Sequence, residues 1–234
     1  MAKFLTLNTH SWMEEEQESR LNQLAERILQ EKYDVICLQE VNQLVESEQV
    51  VQAPFYYAVD GAIPIHQDHY ALRLVEKLAE AGLDYYWSWA YNHIGFDIYN
   101  EGVAILSRNP LKARELLVSD VNDPSDYHTR KVLLAETELD GQLITVASCH
   151  LSWWDKGFQG EWAKFESELL QVETPLVLMG DFNNPVDYEG YQHIIQSPLA
   201  LQDSHKVADQ TIGTATVEGD IAGWAGNKDA LKID

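Results

Sequence analysis

Apolar and polar positions along this chain switch between two periods, and the switches mark its elements. Lys3–Leu7 is a short apolar run that ends at Asn8. Over 14–32, Leu21, Leu24, Ala25, Ile28 and Leu29 recur at helical spacing, after a polar opening at Glu14–Glu16 that suits the helix dipole. Val35, Ile36, Cys37 and Leu38 are continuously apolar, as strands covered on both faces are, so a second strand is expected over Asp34–Leu38. Residues 42–65, broken by Pro54, Gly61 and Pro64, read as a long loop. A second amphipathic helix is expected over 67–81, with Leu72, Val75, Leu78 and Ala79 on one face and Gly82 as its stop.

The middle of the chain turns to strands. Asp84–Tyr91 and Val103–Ser107 are expected strands, and 130–137 with 143–150 form a hairpin around Asp140-Gly141. A third helix is expected over 158–172, a strand over 176–179 and a short helix over 188–196. Beyond 198 the chain reads as loop until Ala230–Ile233, which has the pattern of another strand. With strands and helices alternating, and no repeat or linker, residues 1–234 read as one α/β domain. Tyr85, Trp87, Trp89 and Tyr91 share one strand face, where aromatic side chains usually pack a core.

Composition sharpens this picture in two places. Thirty-eight acidic against sixteen basic residues give a formal net charge of −22. Proteins that hold nucleic acid normally present Lys and Arg to phosphates, so a nucleic-acid partner is disfavoured unless metal ions or a local patch offset the repulsion. A small anionic substrate samples only the local field and stays compatible. The two cysteines, Cys37 and Cys149, sit in apolar runs and read as buried thiols of a reducing compartment. No apolar run is long enough to span a membrane and the N-terminus has no signal-like core, so a cytoplasmic location is expected.

The candidate chemistry lies where the apolar runs end. The first strand closes on Asn8, the second on Gln39-Glu40, the hairpin on His150, the run Val177–Met179 on Asp181 and Asn183, and the last on Asp234. One such end is an ordinary turn, because Asp and Asn hydrogen-bond their own backbone. Five of them leave half-buried carboxylates that need a partner. A shared cation supplies one, and carboxylate and amide oxygens suit magnesium or manganese rather than zinc. Phosphoryl hydrolysis then needs a positioned water, charge stabilisation and a proton for the leaving oxygen. Asp181 could orient the water, Glu40 hold the metal, His150 serve the leaving group or the transition-state charge, and Arg130 grip the phosphate.

LTLNTH, LQE, EGVAILSR, CHL and GDFN, in that order, resemble the endonuclease/exonuclease/phosphatase superfamily over nearly the whole chain. The resemblance implies two stacked mixed β-sheets flanked by helices, a four-layer α/β sandwich. It implies Glu40 as the principal metal ligand with Asn8 beside it, and a Mg2+ or Mn2+ cofactor. Asp181 and Asn183 would act on water and phosphate. His150 matches the His of the pancreatic deoxyribonuclease and sphingomyelinase branches, where the exonuclease III branch has Tyr. Glu101 matches the carboxylate that supports this His, Arg130 a phosphate-contacting Arg, and Asp234 the Asp of a late IDY-type strand. Family members continue to a Ser-Asp-His signature, and Asp234 is the last residue here, so a fragment lacking the C-terminal strands and a catalytic His is the expectation.

Two features bear on the substrate. The chain has seven Trp and eleven Tyr, and Trp153 and Trp154 follow His150 after Leu151 and Ser152, as candidates for stacking on a sugar. LTLNTHSWMEE, YDVICLQEVNQ and the YYWSWAYNHIGFDIYNEGVAILSR stretch are similar to bacterial maltose 6'-phosphate phosphatases. That similarity implies a phosphomonoester of a small sugar as partner. A phosphodiesterase or endonuclease of the same fold, and a metal-binding protein without turnover, stand as alternatives. Of the other histidines, His10 is a weak site candidate. His66, His69, His93, His128, His193 and His205 read as loop or surface residues.

Overall fold

Strand β1 (Phe4–Asn8) runs parallel to β2 (Val35–Leu44), with helix α1 (Gln17–Glu31) as the crossover. β2 pairs antiparallel with β4 (Tyr99–Ser107), and β4 with β3 (Tyr86–Gly95), giving the sheet order β1-β2-β4-β3. A second sheet runs β5-β6-β7-β8, from Leu111–Leu117, Lys131–Leu139, Gln142–His150 and Leu176–Asp181; only its last pair is parallel, joined through α3 (Phe158–Leu169). Helix α2 (Tyr70–Glu80) precedes β3, and α4 (Glu189–Ile195) and α5 (Ser204–Val207) follow β8. A small ribbon, β9 (Val217–Glu218) against β10 (Ala230–Leu231), completes the chain in this computed structural model, which describes residues 2–220 and 223–234.

Side-chain alternation builds four layers from these strands. Ile36, Leu38, Trp87, Trp89, Ala104 and Leu106 face α1 and α2. Their neighbours Val35, Cys37, Val103 and Ile105 face the other way, onto Leu133, Ala135, Val146 and Met179 of the second sheet. Val132, Leu134, Ala147 and Cys149 then carry α3 and α4 through Phe158, Trp162, Phe165 and Ile194. This is the expected sandwich of two mixed sheets flanked by helices. Trp87 and Trp89 are core residues, fully buried. At about 25 cal/mol per Å2 over roughly 150–250 Å2, each ring contributes about 4–6 kcal/mol of gross burial energy. Cys37 and Cys149 are free and buried. No described helix is long and apolar enough to cross a membrane.

Several boundaries differ from expectation for local reasons. The helix expected over 14–32 starts at Gln17, after a 3-10 turn at Ser11–Met13, because Glu16 is left-handed at φ 56°. The loop expected from 42 gives way to strand as far as Leu44, because a bulge at Gln39-Glu40 lets β2 continue. Strand β4 begins at Tyr99 rather than Val103, and β5 carries no strand signal in the sequence because LKARELL is built of good helix formers. Only Ala230–Leu231 of the last expected strand pairs. The Asp140-Gly141 turn is as expected, with both residues at positive φ.

Gly102 sets how closely β3 and β4 approach. A Cβ there would stand 2.0 Å from the Ala90 carbonyl oxygen and 2.9 Å from Trp89 Nε1. Gly102→Ala is therefore expected to cost about 1–3 kcal/mol by overpacking, a Tm loss of roughly 3–10 °C for a domain of this size. A thermal scan showing no loss would refute that tight contact.

Candidate active site

Both sheets end at the same edge, and their terminal polar residues meet there. Asn8 closes β1, and its Nδ2 donates to Glu40 Oε1 at 2.8 Å and to Asp181 Oδ2 at 3.1 Å. Glu40 and Asp181 come from different sheets, so one amide joins two carboxylates across the sandwich. The bulge aims Glu40: pairing passes from Leu38–Ala104 to Val41–Gly102, and Glu40 takes a left-handed φ of 52°. His150 and Asp181 are register partners at the ends of β7 and β8, with Nε2 and Oδ2 3.8 Å apart. Gly180 makes that possible, because a Cβ on it would lie 2.1 Å from the Cys149 carbonyl oxygen. Asn183, at φ 50°, donates its backbone N–H to Asp181 Oδ1 at 2.9 Å and its side-chain N–H to the Leu151 carbonyl at 2.9 Å.

Asp234 joins from the far end of the chain. Phe182 N–H donates to the Ile233 carbonyl at 2.9 Å and Val186 N–H to the Lys232 carbonyl at 3.0 Å, which lays the last residues beside β8. Burial, then the nearby Asp234 charge, pushes the Asp181 carboxyl up to about 7, against the pull of the Asn8 amide and the Asn183 N–H. Burial and then the Glu101 charge raise Glu40, opposed by Asn8, His10 and Arg130. Asp234 is raised mainly by burial. His150 is held well below the usual imidazole range by burial, then by the charges of Arg130 and His93. Arg130 is buried, and its Nε has no hydrogen-bond partner among the described residues. A guanidinium so placed favours an anion.

Four carboxylates therefore crowd one edge with little cationic compensation. Among the described residues no three His, Cys, Asp or Glu side chains close into a metal cage. The donor set still fits a hard divalent ion that takes one or two carboxylates and completes its shell with water and phosphate, as magnesium does. Glu101 departs from its expected role. Its Oε1 lies 3.5 Å from His93 Nε2, whereas its Oε2 is buried without a partner among the described residues. The bulge at Asn92 is the reason, since it places His93 rather than Asn92 opposite Glu101.

A family model described as "Endonuclease/Exonuclease/phosphatase family" matches residues 12–228. The chain belongs to that family. Its members are hydrolases that act on phosphoesters and typically use divalent metal ions. Among solved structures, an endonuclease/exonuclease/phosphatase family protein from Leptotrichia buccalis C-1013-b is 30% identical, with TM-score 0.84 over 100% of this chain and 86% of that one. The human Nocturnin catalytic domain with bound sulfate anion is 19% identical, with TM-score 0.60 over 86% and 70% of the two chains. A conserved protein of unknown function from Enterococcus faecalis V583 is also 19% identical, with TM-score 0.60 over 88% and 75%. A search of curated proteins returned no match.

Within this family member, Asn8, Glu40, His150, Asp181, Asn183 and Asp234 are neighbours, with Arg130 and Glu101 in electrostatic reach of Glu40. The two tryptophans after His150 part company. Trp153 lies against Gly223, while Trp154 packs on Phe158 and His193 of the outer helical layer. His66, His69 and His93 are buried rather than at the surface. His69 caps α2, its ring accepting from Leu72 N–H at 3.4 Å, and burial pushes it down to about 3. His93 and Trp224 are the site residues that the sequence pattern did not flag. Trp224 Nε1 donates to Asn183 Oδ1 at 3.2 Å.

Proposed function

We propose that this protein is a magnesium-dependent phosphatase that hydrolyses the phosphomonoester of a small sugar, such as maltose 6'-phosphate. The observation that carries the reading is the Asn8 amide held between Glu40 and Asp181, with buried Arg130 and His150 beside them. Glu40 and Asn8 would hold the ion, which when bound supplies Lewis-acid polarisation of a phosphoryl oxygen and offsets the carboxylate charge. Arg130, buried within electrostatic reach of Glu40 and His150, supplies positive charge for the phosphate. Asp181, ionised when the ion is bound, accepts a proton from the attacking water as its oxygen bonds to phosphorus, and that proton returns through solvent to the sugar oxygen as its bond to phosphorus breaks. His150, neutral in its buried setting, offers a ring N–H to a phosphoryl oxygen. Asp234 keeps Asp181 basic, and Asn183 fixes its direction.

The charge of −22 supports a small substrate over a polyanion, and the stretches similar to bacterial maltose 6'-phosphate phosphatases support a sugar. Phosphate release should be strongest with sugar phosphates in magnesium and should vanish with chelator. Cleavage of diesters or nicking of plasmid DNA without monoester hydrolysis would reject the proposal in favour of a phosphodiesterase. Magnesium binding with no turnover of either class would leave a binding protein.

A further inference from the structure

The last ribbon delivers more than Asp234. Trp224 lies between β9 and β10 and packs on Val217, Leu231 and Ile233. Its indole N–H reaches Asn183 Oδ1, while the other end of that amide donates to the Leu151 carbonyl. Asn183 is thus gripped at both side-chain atoms, and its backbone N–H in turn holds Asp181 Oδ1. Asp181 Oδ2 remains directed at Asn8 and His150. Next to Trp224, Gly223 sits on Trp153: at φ 83°, a Cβ there would come 2.9 Å from Trp153 Cζ2. The tryptophan that follows His150 in sequence is therefore the seat for the segment that carries Trp224.

We propose that Trp224 is a positioning residue, whose indole N–H sets the direction of Asn183 and through it of the Asp181 carboxylate. The proposal rests on the phosphoester reading above in taking Asp181 as the group that acts on water. A neutral hydrogen bond contributes modestly to stability, but a group displaced by an ångström can cost far more in rate.

Trp224→Phe keeps the ring and loses the donor. With the substrate hydrolysed fastest, it is expected to lower kcat about tenfold or more and to leave KM within about twofold, because the misplaced group matters chiefly in the transition state. Asn183→Ala should lower kcat further, and the double variant should be no worse than Asn183→Ala alone within about twofold. A merely structural Trp224 would give additive losses, and additivity overturns the proposal. A second measurement does not depend on turnover. The Trp224 indole N–H resonance, assigned by its loss in Trp224→Phe, should shift and exchange faster with solvent in Asn183→Ala. An unchanged resonance also overturns the proposal. If monoesters are not hydrolysed, the phosphatase reading falls, and the resonance still decides the role of Trp224.

Discussion

Glu40→Gln is expected to lower phosphate release by at least about a thousandfold, and at the same time to raise the Tm of the metal-free protein by a few degrees. The two effects have one cause. In the metal-free fold the Glu40 carboxyl is raised by burial and by the Glu101 charge, so its ionised form opposes folding near neutral pH. Glutamine removes that charge yet retains an oxygen to accept from Asn8 Nδ2. It cannot supply the negative charge that a divalent ion needs, so activity is lost while the empty fold relaxes. Thermal scans in chelator at about pH 8, beside phosphate-release assays in magnesium, test both halves. A variant that is inactive and also less stable without metal would show that Glu40 is a structural group.

The second large effect is a dependence of metal binding on pH. Asp181 titrates at about 7 in the fold against an ordinary 3.8, so the folded chain binds a proton there that the unfolded chain has lost. A raised carboxyl contributes stability fully below the unfolded value, and that contribution fades as pH climbs through about 4 to 7. Metal-free protein is therefore expected to lose stability across that window. Under the proposed function magnesium should reverse the trend, because it would bind only the ionised site and displace the proton as it enters. At saturating magnesium the Tm gain at about pH 8 should exceed the gain at about pH 5.5 by several degrees. Calorimetry in two buffers of different ionisation heat should show protons released on binding near pH 6. Equal Tm gains and no proton release would mean that the ion does not reach Asp181.

The residue types of the site were legible because each stands where an apolar run stops: Asn8 after Leu5-Thr6-Leu7, His150 after Val146–Cys149, Asp181 after Val177–Met179. The sandwich was legible from the same runs, since only strands covered on both faces stay apolar through Val35–Leu38. What alternation could not reveal were its own breaks. The bulge at Gln39-Glu40 aims Glu40, and the bulge at Asn92 carries His93 to Glu101. A bulge changes which residue faces inward without changing residue type, so His93 looked like a loop residue and Glu101 like the support of His150. Trp153 and Trp154 differ by one position and diverge because a 3-10 turn begins at Trp154. Trp224 lies in a segment with no periodicity at all, and only its packing on Val217, Leu231 and Ile233 shows why it is held near Asn183.

The seam between the two sheets also has a mechanical meaning. Asn8, Glu40 and Glu101 belong to one layer, His150 and Asp181 to the other, and Gln39 Nε2 to Ser148 Oγ at 3.2 Å bridges the same join just behind them. An ion seated among these groups would act as a rivet, and its grip would report whether the layers are docked. Trimming an interlayer side chain such as Ile105 or Val146, remote from any substrate, would then loosen the rivet before it unfolds the chain.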